Sequence, residues 1–578
     1  MLADNRVVQN ADARWPCGRL LQIRLATSAY VGRKRMRQSV PSEPKAIDKS
    51  LVARTCSACR RPPACLLSVA TLLLFTPFSL PRIAAQDAPA ETETTEHTRN
   101  PSTDHKREET AEPPSQHEIP VHDESDEAAT VTDAAPVPKP VEFLNLRYDE
   151  DYSYLEEYPE ARDEDPLLYL KNIALPDQWR LDFGGEFRIR AETRTNRNFG
   201  LREETTQSQQ NYRWMLHANL HYGKRFRVFA QGILAHAENQ GKDFQPTQEN
   251  HGDLHQLFVD INLADDATPL ILRLGRQELY YGHDRMVGAF EWVSTRRRFD
   301  GIKLFYHTEK WDLDAFVVRP VRVERKGGDD WDETYDFYGG YFTARVSEAF
   351  NFDLYVFHSD RSDHTENPNG HTGDRSITTV GTRIWGKKKP WDYDVELAGQ
   401  WGRWAGDKVE ASFFEADVGY TFDHPWYPRL GAGFGWASGD DNPFDRHVGT
   451  WDQLFTYDHV CISMQDLIGR QNITRTYVAF VAWPTDRLKT SLFHHFYWLS
   501  EDKDFYYDAG GTPLLQDQYG HRSANLGHAV EFQLEYKLSQ HADLMAVYSH
   551  YWGGRFFDGV EHADDNPDLF FIQFRYRF

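Results

Sequence analysis

The stretch Asp568–Phe578 alternates with a period of two. Phe570, Ile572, Phe574, Tyr576 and Phe578 fall on one side, and Phe571, Gln573, Arg575 and Arg577 on the other. A strand that is apolar on one face and mostly polar on the other suits lipid outside and water inside. From Trp179 onward, eighteen segments carry at least partial alternation of this kind. They lie near residues 179–194, 211–222, 225–237, 253–263, 270–279, 298–307, 311–319, 338–346, 351–359, 376–386, 392–403, 411–422, 429–438, 472–483, 487–498, 525–537, 542–552 and 569–578. Tyr212, Trp214, Leu216, Ala218 and Leu220 show the outward face clearly, as do Phe414, Ala416, Val418, Tyr420 and Phe422. Most segments have the roughly 9–11 residues that cross a bilayer at a tilt.

The connections sort by parity. Those after even-numbered segments are short, as at 223–224, 308–310, 347–350, 484–486 and 538–541. Those after odd-numbered segments are mostly long, as at 195–210, 238–252, 280–297, 320–337, 360–375, 439–471 and 499–524. Short periplasmic turns alternating with long external loops are the habit of outer-membrane barrels. A soluble β-sandwich, the competing reading of any single strand, gives no reason for such sorting. The pattern predicts an all-β fold, a transmembrane antiparallel barrel of about 18 strands over 179–578, with both ends of the chain periplasmic.

The chain ahead of the barrel divides into three. Residues 1–85 read as a leader with a signal peptide: Arg60-Arg61 precede an apolar run from Ala64 to Leu80, and Ile83-Ala84-Ala85 offers a small-residue cleavage site. That run is broken by Pro77 and too short for a membrane helix. The sequence leaves open whether the start is Met1, with an extended amino-terminal region, or Met36. Residues 86–140 contain no Phe, Tyr or Trp. Such a segment cannot bury enough apolar area to offset its ordering entropy, so it reads as a disordered acidic linker rich in Pro, Thr and Glu. It is either a solvated spacer or a ligand for a periplasmic partner. Residues 141–178, with Arg147–Leu155 and Asp165–Ile173, read as a lead-in that plugs or lines the periplasmic mouth.

Charge and composition narrow the function. The formal net charge is -23; the leader contributes +10, leaving the remainder near -33. Residues 86–165 hold 24 acidic and 6 basic residues, so over half of that excess lies outside the barrel. A nucleic-acid partner, which needs a basic footprint, is excluded. Mean hydropathy is -0.67 while aromatics reach 14%, as expected where only alternate residues meet lipid and aromatic girdles mark both interfaces. Four of the five cysteines lie in the first 65 residues, leaving Cys461, so neither a disulfide framework nor a cysteine metal site is available. No cofactor or enzymatic motif stands out: there is no Gly-x-Ser-x-Gly elbow, phosphate loop or His-Glu-x-x-His. A hydrolase assembled from separate strands would leave no such motif.

The inward face carries the chemistry. With Leu181, Phe183, Phe187 and Ile189 outward, Arg180, Arg188 and Arg190 face the lumen, and parity adds Arg213, Arg575 and Arg577. Because the last strand must pair with the first in a closed barrel, these six share one wall. Less regular alternation also turns Arg273, Arg345 and Arg383 inward, and the run Arg296-Arg297-Arg298 is expected at an external mouth. Fixed arginines in water suit passage of a polyanion, since a planar, permanently charged fork meets carboxylates bidentately. Alternatively they pair with Glu186, Glu192, Glu531 and Glu535 and knit the wall. Asp440-Asp441-Asn-Pro443 recurs as Asp564-Asp565-Asn-Pro567. Clustered oxygens there offer a Ca²⁺ site, but the same residues are ordinary turn formers.

Several motifs resemble the alginate export porin family of outer-membrane proteins. They are Gly275-Arg-Gln-Glu-Leu279 with Trp292-Val-Ser-Thr-Arg-Arg-Arg-Phe-Asp-Gly301, and Ala437-Ser-Gly-Asp-Asp-Asn-Pro443 with Gly449-Thr-Trp-Asp-Gln-Leu-Phe455 and Asp466–Ile473. The lead-in at Arg147–Ile173 running into Phe183-Gly-Gly-Glu-Phe-Arg188 fits the family's amino-terminal pattern. The resemblance spans roughly 145–578 and implies an eighteen-stranded barrel that passes an anionic, alginate-like polysaccharide through an arginine-rich lumen. The partners expected are therefore that polysaccharide or its oligosaccharides, outer-membrane lipid and periplasmic export proteins. A porin for small anions or sugars, and a cell-surface adhesion or envelope-anchoring protein, are the alternatives. The acidic segment 86–140 is not part of the family pattern.

Overall fold

Along Thr206–Tyr222 the alternation becomes a physical division of faces: Trp214 is 50% exposed and Leu216 64%, while Arg213 and Met215, alternating with them, are 0% and 4% exposed. A computed structural model of the chain describes residues 143–578 apart from 202–205, 239–245, 265–268, 325–327 and 561–565. The leader and linker fall outside the described residues. The same inversion of the soluble pattern holds all round the barrel, with large apolar side chains such as Ile302, Val317, Leu430, Val478, Phe570 and Ile572 outward and Arg, Glu, Asp and Gln buried inward. Exposed apolar area on this scale needs a nonaqueous covering.

Eighteen antiparallel strands make the wall: β1 Trp179–Thr195, β2 Thr206–Tyr222, β3 Phe226–Glu238, β4 Asn250–Asn262, β5 Leu270–Gln277, β6 Phe299–His307, β7 Trp311–Arg322, β8 Tyr335–Ser347, β9 Phe350–Glu366, β10 Thr372–Lys388, β11 Trp391–Trp404, β12 Asp407–Thr421, β13 Arg429–Ala437, β14 Ile473–Thr485, β15 Leu488–Leu499, β16 Asn525–Lys537, β17 Ala542–Gly553 and β18 Asp568–Arg577. Each pairs with its chain neighbour, and β18 closes on β1. Closure leaves no strand edge with unpaired backbone groups facing lipid.

The parity of the connections holds, with two short exceptions on the long-loop side, 367–371 and 405–406. Aromatic side chains mark the belt's margins. Trp179, Tyr222 and Phe226 touch at the short-turn end, as do Trp391, Tyr420 and Phe422. Trp401, Trp498 and Trp552 stand toward the long-loop end. Among the described residues no helix is long and apolar enough to cross a membrane.

The seam register sharpens one expectation and corrects another. Closure is expected to set Arg575 and Arg577 against Arg188 and Arg190 across the seam; Arg188 does lie opposite Arg575, but Arg577 faces Glu186 and Arg190 faces Gln573. Arg188 is also opposite Arg213 on β2, so Arg575, Arg188 and Arg213 form one row across β18, β1 and β2. At the short-turn mouth, residues 143–149 enter the barrel. Arg147 donates to the carbonyls of Gly185 and Phe578, and the buried Tyr148 meets Phe229 and Phe258 edge-on, 5.5 and 5.1 Å between ring centres.

Candidate functional site

Like charges directly opposite one another on a sheet repel, so three arginines abreast need counter-ions. The lumen supplies them from a connection. The segment between β5 and β6, residues 278–298, folds into the barrel. Its departure is marked by Gly275 and Gly301, which lie opposite each other at φ +128° and +158°. A Cβ on Gly275 would stand 2.2 Å from the Leu257 carbonyl, and one on Gly301 2.3 Å from that of Val317. Both glycines therefore allow a strand bend that no side chain permits.

Glu291 on this segment is the hub. Its carboxylate lies 2.5 Å from Arg213, 3.7 Å from Arg188 and 3.8 Å from Arg575, and its other oxygen accepts from Arg296. Burial acts to raise the Glu291 pKa, but Arg213, Arg296, Arg188 and Arg575 outweigh it and hold the carboxyl well below the ordinary glutamate range. The backbone joins in: Arg188 donates to the carbonyls of Glu291, Trp292 and Val293, and Arg213 to those of Glu291 and Val293. Arg190 is ion-paired to Glu192 at 3.1 Å, and its guanidinium stacks 3.4 Å from the centre of the Trp292 ring.

The opposite side of the same segment is tied by Arg285. It reaches Asp394 at 2.6 Å, Glu396 at 3.1 Å, Asp417 at 2.6 Å and Glu415 at 3.7 Å on β11 and β12. Between these two polar anchors Tyr281, Met286 and Val287 pack with Phe316, Phe337, Tyr341 and Phe357 of the β7–β9 wall in one apolar cluster. The connection 438–472 also folds inward and joins that cluster through Trp451, Phe455, Leu467 and Ile468. Arg470 binds Asp458 at 2.9 Å and also Glu415, while Phe455 exchanges backbone hydrogen bonds with Met286 and Gly288. Together the two segments form a plug across the lumen.

The remaining predicted arginines also face inward, each with a carboxylate. Arg273 binds Asp260 at 2.7 Å and stacks on Tyr148 and Phe258; Arg383 bridges Asp353 and Asp394. Arg345 meets Asp312 near the short-turn rim, where Arg180 also meets Glu156 at 2.9 Å. Arg575 and Arg577 share Asp543 at 3.1 and 3.3 Å. The pairing reading is partly realised, through Glu186 with Arg213 and Glu192 with Arg190 and Arg194, whereas Glu531 accepts from Met464 of the plug and Glu535 takes Lys489.

Arg296, Arg297 and Arg298 are not at an external mouth. Arg296 and Arg298 are buried in the plug and Arg297 is half-buried there, and Arg296 reaches the carbonyl of Asn145 in the lead-in. The Asp440 carboxylate is occupied by the amides of Asn442 and Gly449, an Asx-type turn, and Asp441 is exposed. Asp564 and Asp565 lie outside the described residues. Among the described residues no group of three or more His, Cys, Asp or Glu is arranged to hold a metal ion.

The family model described as alginate export matches residues 179–566, which covers β1–β17 and stops just short of the closing strand β18. The chain belongs to the alginate export family. With its lipid-facing belt and closed wall, this member of the family is an outer-membrane β-barrel channel. No curated protein matches the sequence. Similar solved structures include Pseudomonas aeruginosa OccK8 (OprE), at 12% identity and TM-score 0.47, covering 69% of this chain and 98% of that one. Pseudomonas aeruginosa OpdO is similar at 12% identity and TM-score 0.46, covering 69% and 97%. Acinetobacter baumannii OccAB2 is similar at 12% identity and TM-score 0.45, covering 68% and 98%.

Proposed function

We propose that this alginate export family member conducts an anionic polysaccharide of the polyuronate type outward across the outer membrane, along the arginine wall of β18, β1 and β2. The observation that carries the reading is the row Arg575–Arg188–Arg213, with Arg190 on the neighbouring inward position of β1. Repeated carboxylates on a chain match the repeat of guanidinium forks along this row. In this reading the short-turn end and both chain termini are periplasmic, the lead-in 143–178 sits over the mouth that receives the polymer, and the acidic segment 86–140 is a ligand for periplasmic export proteins. The barrel acts as a conduit and carries out no catalytic step.

A porin for small anions is the second reading, favoured by the filled lumen: the arginines are already engaged with carboxylates of the wall and the plug. Planar-bilayer recording separates the two. Polyuronate added on the short-turn side blocks the open channel at low concentration if the first reading holds, and the block is lost in R188E/R190E/R575E, which also turns the channel cation-selective. Conductance that polyuronate leaves untouched, with small anions still passing, makes it a porin.

A further inference from the structure

The plug is held by three kinds of contact, and a polyanion is able to replace only one. Against β7–β9 the contact is apolar, through Tyr281, Met286 and Val287. Against β11 and β12 it is the cation Arg285 among four carboxylates, a place that repels a polyanion. Against β18, β1 and β2 the plug offers the Glu291 carboxylate flanked by carbonyl oxygens of Glu291, Trp292 and Val293. A carboxylate beside neighbouring oxygen acceptors is the functional-group set of a uronic acid residue.

We propose that Glu291 is an internal stand-in for a carboxylate of the transported chain, and that Arg188, Arg213, Arg296 and Arg575 form a uronate subsite which opens when substrate takes its place. The inference rests on the polyanion reading above and names the group that reading lacked. Exchange of one carboxylate for another keeps the buried arginines paired throughout, so the large cost of stranding them does not arise. A small recess beside Glu186 is lined also by Arg147, Arg296, Arg575 and Arg577. Arg575 and Arg296 thus belong both to this recess and to the cage around Glu291.

The test uses the full barrel in planar bilayers, with an oligogalacturonate of defined length and a neutral maltooligosaccharide of the same length. Glu291→Gln keeps the side chain's size and an acceptor oxygen but removes the competing charge. Its half-blocking concentration of oligogalacturonate falls about tenfold, with the neutral sugar unaffected, if the subsite is real. Asp353→Asn, which removes a carboxylate from the opposite wall, controls for a general gain in positive charge, and an equal fall there overturns the proposal. So does block of wild type and Glu291→Gln at the same concentration, which leaves the polyanion reading standing. Absence of block in both sinks that reading and this one with it. Hydrogen exchange of residues 289–293 in the unaltered barrel gives a second readout that needs no variant. It accelerates on addition of oligogalacturonate, and unchanged protection at blocking concentrations overturns the exchange.

Discussion

Arg285 shows what one side chain contributes to the plug. Its guanidinium fills a space bounded by Asp394, Glu396, Glu415 and Asp417, with Arg383, Arg470 and Arg475 sharing the same acids from other directions. Removing one member of a buried charge cluster costs about 3–5 kcal/mol, because the carboxylates left behind keep their desolvation penalty without the compensating attraction. Arg285→Met is therefore expected to release residues 279–290 from β11 and β12. The readout is faster hydrogen exchange across that segment and a rise in conductance toward cation selectivity. Arg285→Lys recovers little, since a single ammonium cannot span acids that the planar fork reaches with separate nitrogens. Unaltered protection of the segment in Arg285→Met would show that the apolar cluster alone holds it.

At the scale of elements, the strands were legible because a barrel strand answers to a local rule: every second side chain meets lipid. Ile572 on β18 obeys it, standing exposed between the buried Phe571 and Gln573. Ile572→Arg places a charge near the middle of the belt, where the cost is about 2–4 kcal/mol. Refolding into lipid vesicles, followed by heat-modifiable gel mobility, is expected to drop accordingly, and a variant that refolds like wild type would remove Ile572 from the lipid face.

The same local rule is silent on connections. Parity found the length of 278–298 and 438–472 but not their destination. Arg296 was expected outside because it follows a long loop, yet it binds Glu278 and Glu291 within the barrel. Its partners lie in the same loop and in the lead-in at Asn145, and they meet only because the loop folds back through the lumen, which no spacing along the chain reports. For the same reason the inward direction of Arg188, Arg190 and Arg213 could be read from alternation, while the identity of their counter-ion, Glu291, could not. The one sequence signal was density: Trp292, three consecutive arginines and two glycines lie within a motif that also carries the family likeness.

Over the whole molecule, acids at two levels respond to pH in opposite senses. At the long-loop end the buried Asp504 ties two connections together, accepting from the Asp440 amide at 2.9 Å, Thr450 at 2.6 Å and Tyr507 at 2.8 Å. Burial pushes its pKa up to about 6 in spite of those donors. The folded junction thus holds the proton more tightly than an unfolded chain does. The stability this contributes is complete below about pH 4, falls as pH rises, and is gone above about pH 6, on the order of 3 kcal/mol across the window. Glu291 in the plug behaves the other way. Its depressed pKa makes its clamp complete above the ordinary glutamate value and lost only on strong acidification. Acidifying from pH 7.5 to 5 is therefore expected to tighten the long-loop junction while leaving the plug as it was. Hydrogen exchange, corrected for its intrinsic pH dependence, reads both: amides of 440–450 and 500–507 gain protection at pH 5, and those of 289–293 do not change. Asp504→Asn should abolish the gain. Increased exchange at 289–293 by pH 5 would mean that Glu291 titrates in that range, and that its four arginines do not hold it as the distances indicate.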